Sequence, residues 1–208
     1  MVNEKKSQII SYFKTLDTVT KTLLLMNVIA YLFLVFDYGL NAILGLNVEQ
    51  LLTIGGATGD SPLVNVLLSM FLHYSLVHFL VNMIILLLLS RTINDNFTPM
   101  AYLFTYLISG IVGNLISQDY MPNVVSVGAS GGIYGLLGLL LVSALFKKKY
   151  PNLNSMFMFI FITAIVFIIG TLFSEIANIT AHIIGLLVGC LMATIIQYFK
   201  IEVYREES

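Results

Sequence analysis

The chain has 208 residues, of which 58 % are hydrophobic and 10 % charged, with a formal net charge of −1 and a mean hydropathy of +0.93. A soluble domain carries about 25 % charge, so these values exclude an ordinary water-soluble globule and a disordered chain. The absence of a basic surface excludes nucleic acid as a partner. What remains is an all-α, multi-pass membrane protein, and its one cysteine, Cys190, cannot form an internal disulfide.

Residues 1–21 are polar and contain no apolar core of a signal peptide. Ile9, Phe13 and Leu16 recur at i, i+4 and i+7, the spacing of a helix lying on the membrane surface; a tail without fixed structure is the alternative. Six apolar stretches follow, at about 22–38, 63–90, 99–117, 130–146, 155–174 and 177–199. They are read as spans against the roughly 20 apolar residues that a crossing helix needs. The fourth is the shortest and is rich in glycine. The connection over 39–62 holds Gly45, Gly55, Gly56, Gly59 and Pro62 between short apolar runs, which places it partly in the bilayer.

Orientation follows from the basic residues. Lys5, Lys6, Lys14, Lys21, Arg91, Lys147, Lys148, Lys149, Lys200 and Arg205 all fall on one side of a six-span bundle. The opposite connections carry Asp37, Glu49, Asp60, Asp119 and Glu175. Both termini are therefore expected in the cytoplasm, with a cytoplasmic segment over 1–21, a membrane domain over 22–199 and a cytoplasmic tail over 200–208. With no targeting segment in view, the pattern points to a bacterial plasma membrane.

Polar side chains at membrane depth are costly and by default mark function. His73 and His78 fall in the second stretch, Asn82 one turn after His78, Ser130 at the start of the fourth and His182 in the sixth. Ser130 precedes Lys147 by 17 residues, about 26 Å of helix. His182 precedes Lys200 by 18 residues, about 27 Å. The two therefore share a level in the outer half of the membrane, and His78 lies slightly deeper, about 20 Å above Arg91.

Contact at that level requires close helix packing. Ala181, Gly185 and Gly189 form small-xxx-small steps on the sixth span; Gly131 and Gly135, extended by Gly138, do so on the fourth. If these faces meet, an imidazole approaches a hydroxyl that is a poor nucleophile until a base takes its proton. His78 and Asn82 share a helix face and can donate N–H groups to an oxyanion, joined by the free amide at the start of the fourth helix. Gly128, Gly131 and Gly132 allow a sharp turn around Ser130, and Tyr134 stands on the Ser130 face, able to pack on His182. Each feature has a plainer reading by itself, as a serine bonded to its own helix, an interhelical histidine or a packing glycine. Gly128 to Gly132 also spells G-x-S-x-G, but that elbow belongs to soluble α/β sheets. The three histidines lack metal-ligand spacing.

Together these residues resemble the rhomboid intramembrane serine proteases. His73-x4-His78-x3-Asn82, Gly128-Ala129-Ser130-Gly131 with Tyr134 four residues on, and Ala181-His182-x2-Gly185-x3-Gly189 are similar to the family's three motifs, in order, on three spans. The resemblance implies a six-helix bundle and a Ser130–His182 dyad without a third acid. It implies an oxyanion hole from His78, Asn82 and the Ser130 amide, and Tyr134 orienting His182. The implied reaction is hydrolysis of peptide bonds in or near transmembrane helices of membrane-protein substrates, with no cofactor. Many members carry a Trp-Arg pair before the second span; this chain has no tryptophan and reads Leu63-Val64-Asn65 there. The role of His73 is left open, with a structural hydrogen bond supporting the outside loop as the leading expectation. A non-catalytic helix-binding relative would typically have lost the serine or the histidine. A channel would spread ionisable residues along a path.

Overall fold

The structure, a computed structural model, describes residues 15–172 and 178–199. The surface-helix residues Ile9 and Phe13, and Lys5, Lys6, Lys14, Glu175, Lys200 and Arg205 of the charge pattern, lie outside them. The described residues are helical and contain no strand, only an isolated antiparallel bridge between Ala57 and Ser126. Four helices are long and apolar enough to cross a membrane: α1 (Thr18–Tyr38), α5 (Leu76–Asn96), α6 (Pro99–Tyr120) and α10 (Ile179–Tyr198). Two shorter apolar helices, α7 (Ser130–Ser143) and α9 (Phe157–Leu172), complete the apolar set. Short helices α2 (Leu40–Leu44), α3 (Val48–Thr53), α4 (Leu63–Leu68) and α8 (Pro151–Ser155) lie in the connections.

Local sequence sets the helix starts. Asp17 caps α1 by accepting the Thr20 N–H at 2.9 Å, Thr98 caps α6 with Pro99 in its first turn, and Asn178 caps α10. The expected second span over 63–90 is not one helix. It is α4, a 3-10 turn over Ser69–Phe71, an extended Leu72 and then α5, which restarts at Ser75 and runs on to Asn96. Apolar composition continues through the break, so hydropathy does not reveal it. The freed polar groups find partners: across the fold the Ser69 carbonyl accepts the Gly128 N–H at 2.8 Å, and locally the Ser75 hydroxyl caps α5 by accepting the His78 N–H at 3.3 Å.

Helix α7 is the axis of the molecule: residues 131–140 are all buried. Its neighbours approach through glycine. A Cβ on Gly185 would strike the Gly131 carbonyl, and one on Gly189 would strike the Gly135 carbonyl. The small faces read on the fourth and sixth stretches therefore meet. Helix α6 joins the same contact, with the Gly110 Cα 3.3 Å from a Cβ built on Gly131 and the Ala181 carbonyl 2.7 Å from one built on Gly113. Close backbone approach of this kind gives apolar helices dispersion contact that lipid cannot supply as well. The outer surface is apolar instead. Leu32, Phe36, Val77, Leu88, Phe159 and Leu187 are all exposed, as expected of side chains facing acyl chains.

The 39–62 connection is a fastened structure without the Trp-Arg pair. The Tyr31 hydroxyl donates to the Ala42 carbonyl at 2.9 Å, and the Tyr31 ring stacks on Phe79 at 4.4 Å. Asn47 and Gln50 form a capping box on α3. Gln118 Nε2 donates to the Thr58 carbonyl at 2.6 Å, and Ala57 pairs with Ser126.

Gly185→Val forces branched carbons into a backbone carbonyl that cannot rotate away. It is expected to lower stability by at least the roughly 1–3 kcal/mol typical of overpacking, read as a lowered thermal midpoint in detergent. Leu187→Val on the exposed face should stay within about 0.5 kcal/mol of wild type.

Candidate active site

Ser130 is the first residue of α7, so its N–H is among those without an intrahelical acceptor. The chain reaches it through Gly128 at φ +122°, a conformation that L side chains rarely adopt, and through Ala129 in a helical conformation. His182 is the fourth residue of α10. Because α7 and α10 touch backbone to backbone, the two side chains meet: His182 Nε2 lies 2.6 Å from Ser130 Oγ. Both residues are half-buried. The Tyr134 ring, one turn along α7, stacks on the His182 ring with centroids 4.4 Å apart and planes 14° apart. This is the packing expected from the i, i+4 spacing.

The pair faces a cavity of about 280 Å³. Its walls come from α5 (His78, Val81, Asn82, Ile85), from the segment 125–134, from Phe167 of α9, and from Asn178, Ala181 and His182. His78 and Asn82 stand across from the serine turn: a Cβ on Gly128 would come within 2.7 Å of His78 Cε1 and 3.4 Å of Asn82 Nδ2. Asn82 is 4 % exposed, yet its Nδ2 has no hydrogen-bond partner among the described residues; the same holds for His78 Nδ1. A buried amide donor left unpaired is rare and costly, and this one points into the cavity wall beside the serine.

His73 packs behind the His78 ring. It lies in the extended turn before α5, fully buried, with the Phe71 backbone as its hydrogen-bonding neighbour. Its ring is held edge-on between His78 at 5.0 Å and Phe79 at 5.4 Å. It supports the His78 ring by packing. Gly128, Gly185 and Gly189 are buried where backbone or ring atoms leave no room for a Cβ, and a Cβ on Gly131 would sit tightly against the Gly110 Cα.

Asn114, Ser126 and Asn178, which the sequence did not single out, also line the cavity. They form one hydrogen-bonded cluster, with the Ser126 hydroxyl donating to Asn114 Oδ1 at 2.7 Å and Asn178 Nδ2 donating to Ser126 Oγ at 3.0 Å. The available signal was the run of Gly110, Gly113, Asn114 and Ser117 on one side of the third apolar stretch.

Four membrane-length helices with an apolar exterior define an integral membrane protein. The Rhomboid domain profile matches residues 60–199, and the chain belongs to the rhomboid family. It is 36 % identical over 126 residues to "RHOMBOID-like protein 6, mitochondrial" of Arabidopsis thaliana, covering 58 % of this chain and 39 % of that protein. It is 28 % identical over 149 residues to "Rhomboid-like protease 3" of Toxoplasma gondii, covering 69 % and 57 %. It is 34 % identical over 135 residues to "Inactive rhomboid protein 2" of Homo sapiens, covering 61 % and 15 %. The chain thus spans less than two thirds of the length of these relatives.

Gly128→Ala places a side chain in a disfavoured conformation and against the His78 ring. Backbone strain of this kind costs about 1–3 kcal/mol. The variant is expected to lose about that much stability, read as a lowered thermal midpoint in detergent, and a structure of it should show His78 displaced from the cavity wall.

Proposed function

We propose that this protein is an intramembrane serine endopeptidase that hydrolyses peptide bonds in or near transmembrane helices of other membrane proteins. The observation that carries this reading is the 2.6 Å contact between His182 Nε2 and Ser130 Oγ at a cavity wall, opposite an unpaired Asn82 amide. Family membership does not decide activity by itself, since a relative named as inactive also matches. Non-catalytic helix binding gives no reason to hold a hydroxyl against an imidazole in apolar surroundings.

In this mechanism His182 carries its proton on Nδ1 and accepts the Ser130 hydroxyl proton at Nε2 as Oγ attacks the scissile carbonyl. The stacked Tyr134 ring fixes the imidazole plane. The carbonyl oxygen becomes an oxyanion held by Asn82 Nδ2, the His78 ring and the Ser130 N–H. Protonated His182 gives its proton to the leaving amine, and an ester on Ser130 remains. Water then attacks that ester, with His182 again as base, and frees the serine and a carboxylate product. No third acid is needed to hold the ring where packing already does so.

The topology that accompanies this function has six spans with both termini and Lys147–Lys149 in the cytoplasm. Helix α7 has 14 residues, about 21 Å against a hydrocarbon core of about 30 Å. Seated at the cytoplasmic interface by Lys147–Lys149, it ends roughly 9 Å short of the opposite one, so Ser130 lies below the outer surface and water reaches it from outside. Residues 22–199 form the membrane domain between the segment 1–21 and the tail 200–208, in a bacterial plasma membrane.

A fluorophosphonate probe applied in detergent should label the wild type and neither Ser130→Ala nor His182→Ala, with all three melting normally. A folded wild type that resists this and a slower serine probe would put the non-catalytic reading ahead. Against a helical substrate, Asn82→Ala is expected to lose about 10²–10³-fold in turnover, the scale of one lost oxyanion donor. A much smaller loss would show His78 and the backbone amide covering for it.

A further inference from the structure

Asn178 closes one end of the cavity and is 7 % exposed. Its carboxamide makes three hydrogen bonds to three segments of chain. Oδ1 accepts the Ala181 N–H at 3.0 Å, which caps α10. Nδ2 donates to Ser117 Oγ of α6 at 2.5 Å and to Ser126 Oγ, in the turn leading to Ser130, at 3.0 Å. An amide offers two N–H donors and one carbonyl oxygen, and all are used. The need of the Ala181 N–H for an acceptor fixes which end is oxygen.

Ser126 is itself immobilised. Its N–H donates to the Ala57 carbonyl at 2.7 Å, its carbonyl accepts the Ala57 N–H at 3.1 Å, and its hydroxyl donates to Asn114. Asn114 Nδ2 in turn donates to Ser69 Oγ at 3.0 Å. If α10 shifted, Ser126 would not follow, so the Asn178–Ser126 bond sets a distance between two fixed segments.

The spacing makes that distance matter. Ser126 lies four residues before Ser130, and Asn178 lies four residues before His182, whose N–H bonds the Asn178 carbonyl at 3.2 Å. The bonds Asn178–Ser126 and His182–Ser130 are therefore successive cross-links between the same two segments. The geometry points to Asn178 as a positioning residue: through Ser126, its carboxamide holds the start of α10 against the 126–130 turn and so keeps His182 Nε2 within reach of Ser130 Oγ. This inference rests on the proposed dyad. In this role Asn178 acts through the other residues and does not touch the reacting bond.

A helix cap alone would predict something different, and two variants separate the roles. Asn178→Ser retains an effective N-cap but is too short to reach both Ser117 and Ser126. Ser126→Ala removes the far end of the bond and leaves α10 untouched. Each full-length variant, and the double variant, is labelled with a fluorophosphonate in detergent, and two quantities are read: the final fraction labelled, and the rate constant of the labelling. A merely structural role lowers the first and leaves the second unchanged, because the molecules that remain folded react normally. A positioning role lowers the second. Both single variants are expected to label about 10–100-fold more slowly, the scale set by an ångström-level misplacement. The double variant should fall well short of the product of the two single losses, because both changes cut the Asn178–Ser126 connection. A wild-type rate constant in either single variant overturns the inference, as does a double variant whose losses multiply. A folded wild type that fails to label overturns the dyad reading itself, and that outcome is visible before any variant is compared.

Discussion

Helix α7 has no layer of side chains between its backbone and those of α6 and α10 on the faces where glycine meets carbonyl. At Gly185 and Gly189 of α10, the space that a methyl group would need is already filled by the peptide oxygens of Gly131 and Gly135 of α7. In water, burial of apolar surface would drive three such helices together. In lipid it does not, since acyl chains are as apolar as leucine, and close packing of backbone on backbone must carry the association. Everything at the cavity depends on this approach. A serine at the start of one helix and a histidine one turn into another can share a 2.6 Å contact only if the helix axes lie unusually close.

The same closeness explains where polar groups can be tolerated. In a hydrocarbon medium every backbone and side-chain donor needs a partner within the protein. The interruption of the second apolar stretch at 69–75 frees several such groups, and they are taken up by Gly128, Asn114 and the Ser75 hydroxyl. The broken helix, the Gly128 turn and the short α7 are one arrangement: each leaves polar ends that another satisfies. Asn82 Nδ2 is one of several buried polar atoms without such a partner among the described residues, and it is set apart by its place beside the serine turn. Under the proposed mechanism a donor held in reserve is an asset, since it makes its bond only when the charge appears.

The loop over 39–62 shows a second route to rigidity. Where many relatives are expected to use a tryptophan and an arginine, this chain stacks Tyr31 on Phe79, caps α3 with Asn47 and Gln50, and pairs Ala57 with Ser126. The last contact links the loop directly to the segment that presents Ser130. Exposed Leu40, Leu44 and Val48 leave an apolar edge, in keeping with a loop that rests in the bilayer.

Much of this was legible in the sequence, because lipid imposes simple rules on composition. Apolar stretches marked the helices, glycine steps marked the faces that meet, and the i, i+4 spacing put Tyr134 with Ser130 and Asn82 with His78. The break before α5 was not legible, because hydropathy does not change across it, and what stops the helix is a set of hydrogen bonds to residues 40 and more positions away. The packing role of His73 and the Asn114–Ser126–Asn178 cluster were hidden for the same reason. The sequence by itself determined which residues sit in the membrane and at what spacing along each helix, since rise per residue and transfer free energy are local properties. The tertiary structure alone decided which polar groups pair across helices, since a hydrogen bond depends on distances of tenths of an ångström that no local rule sets.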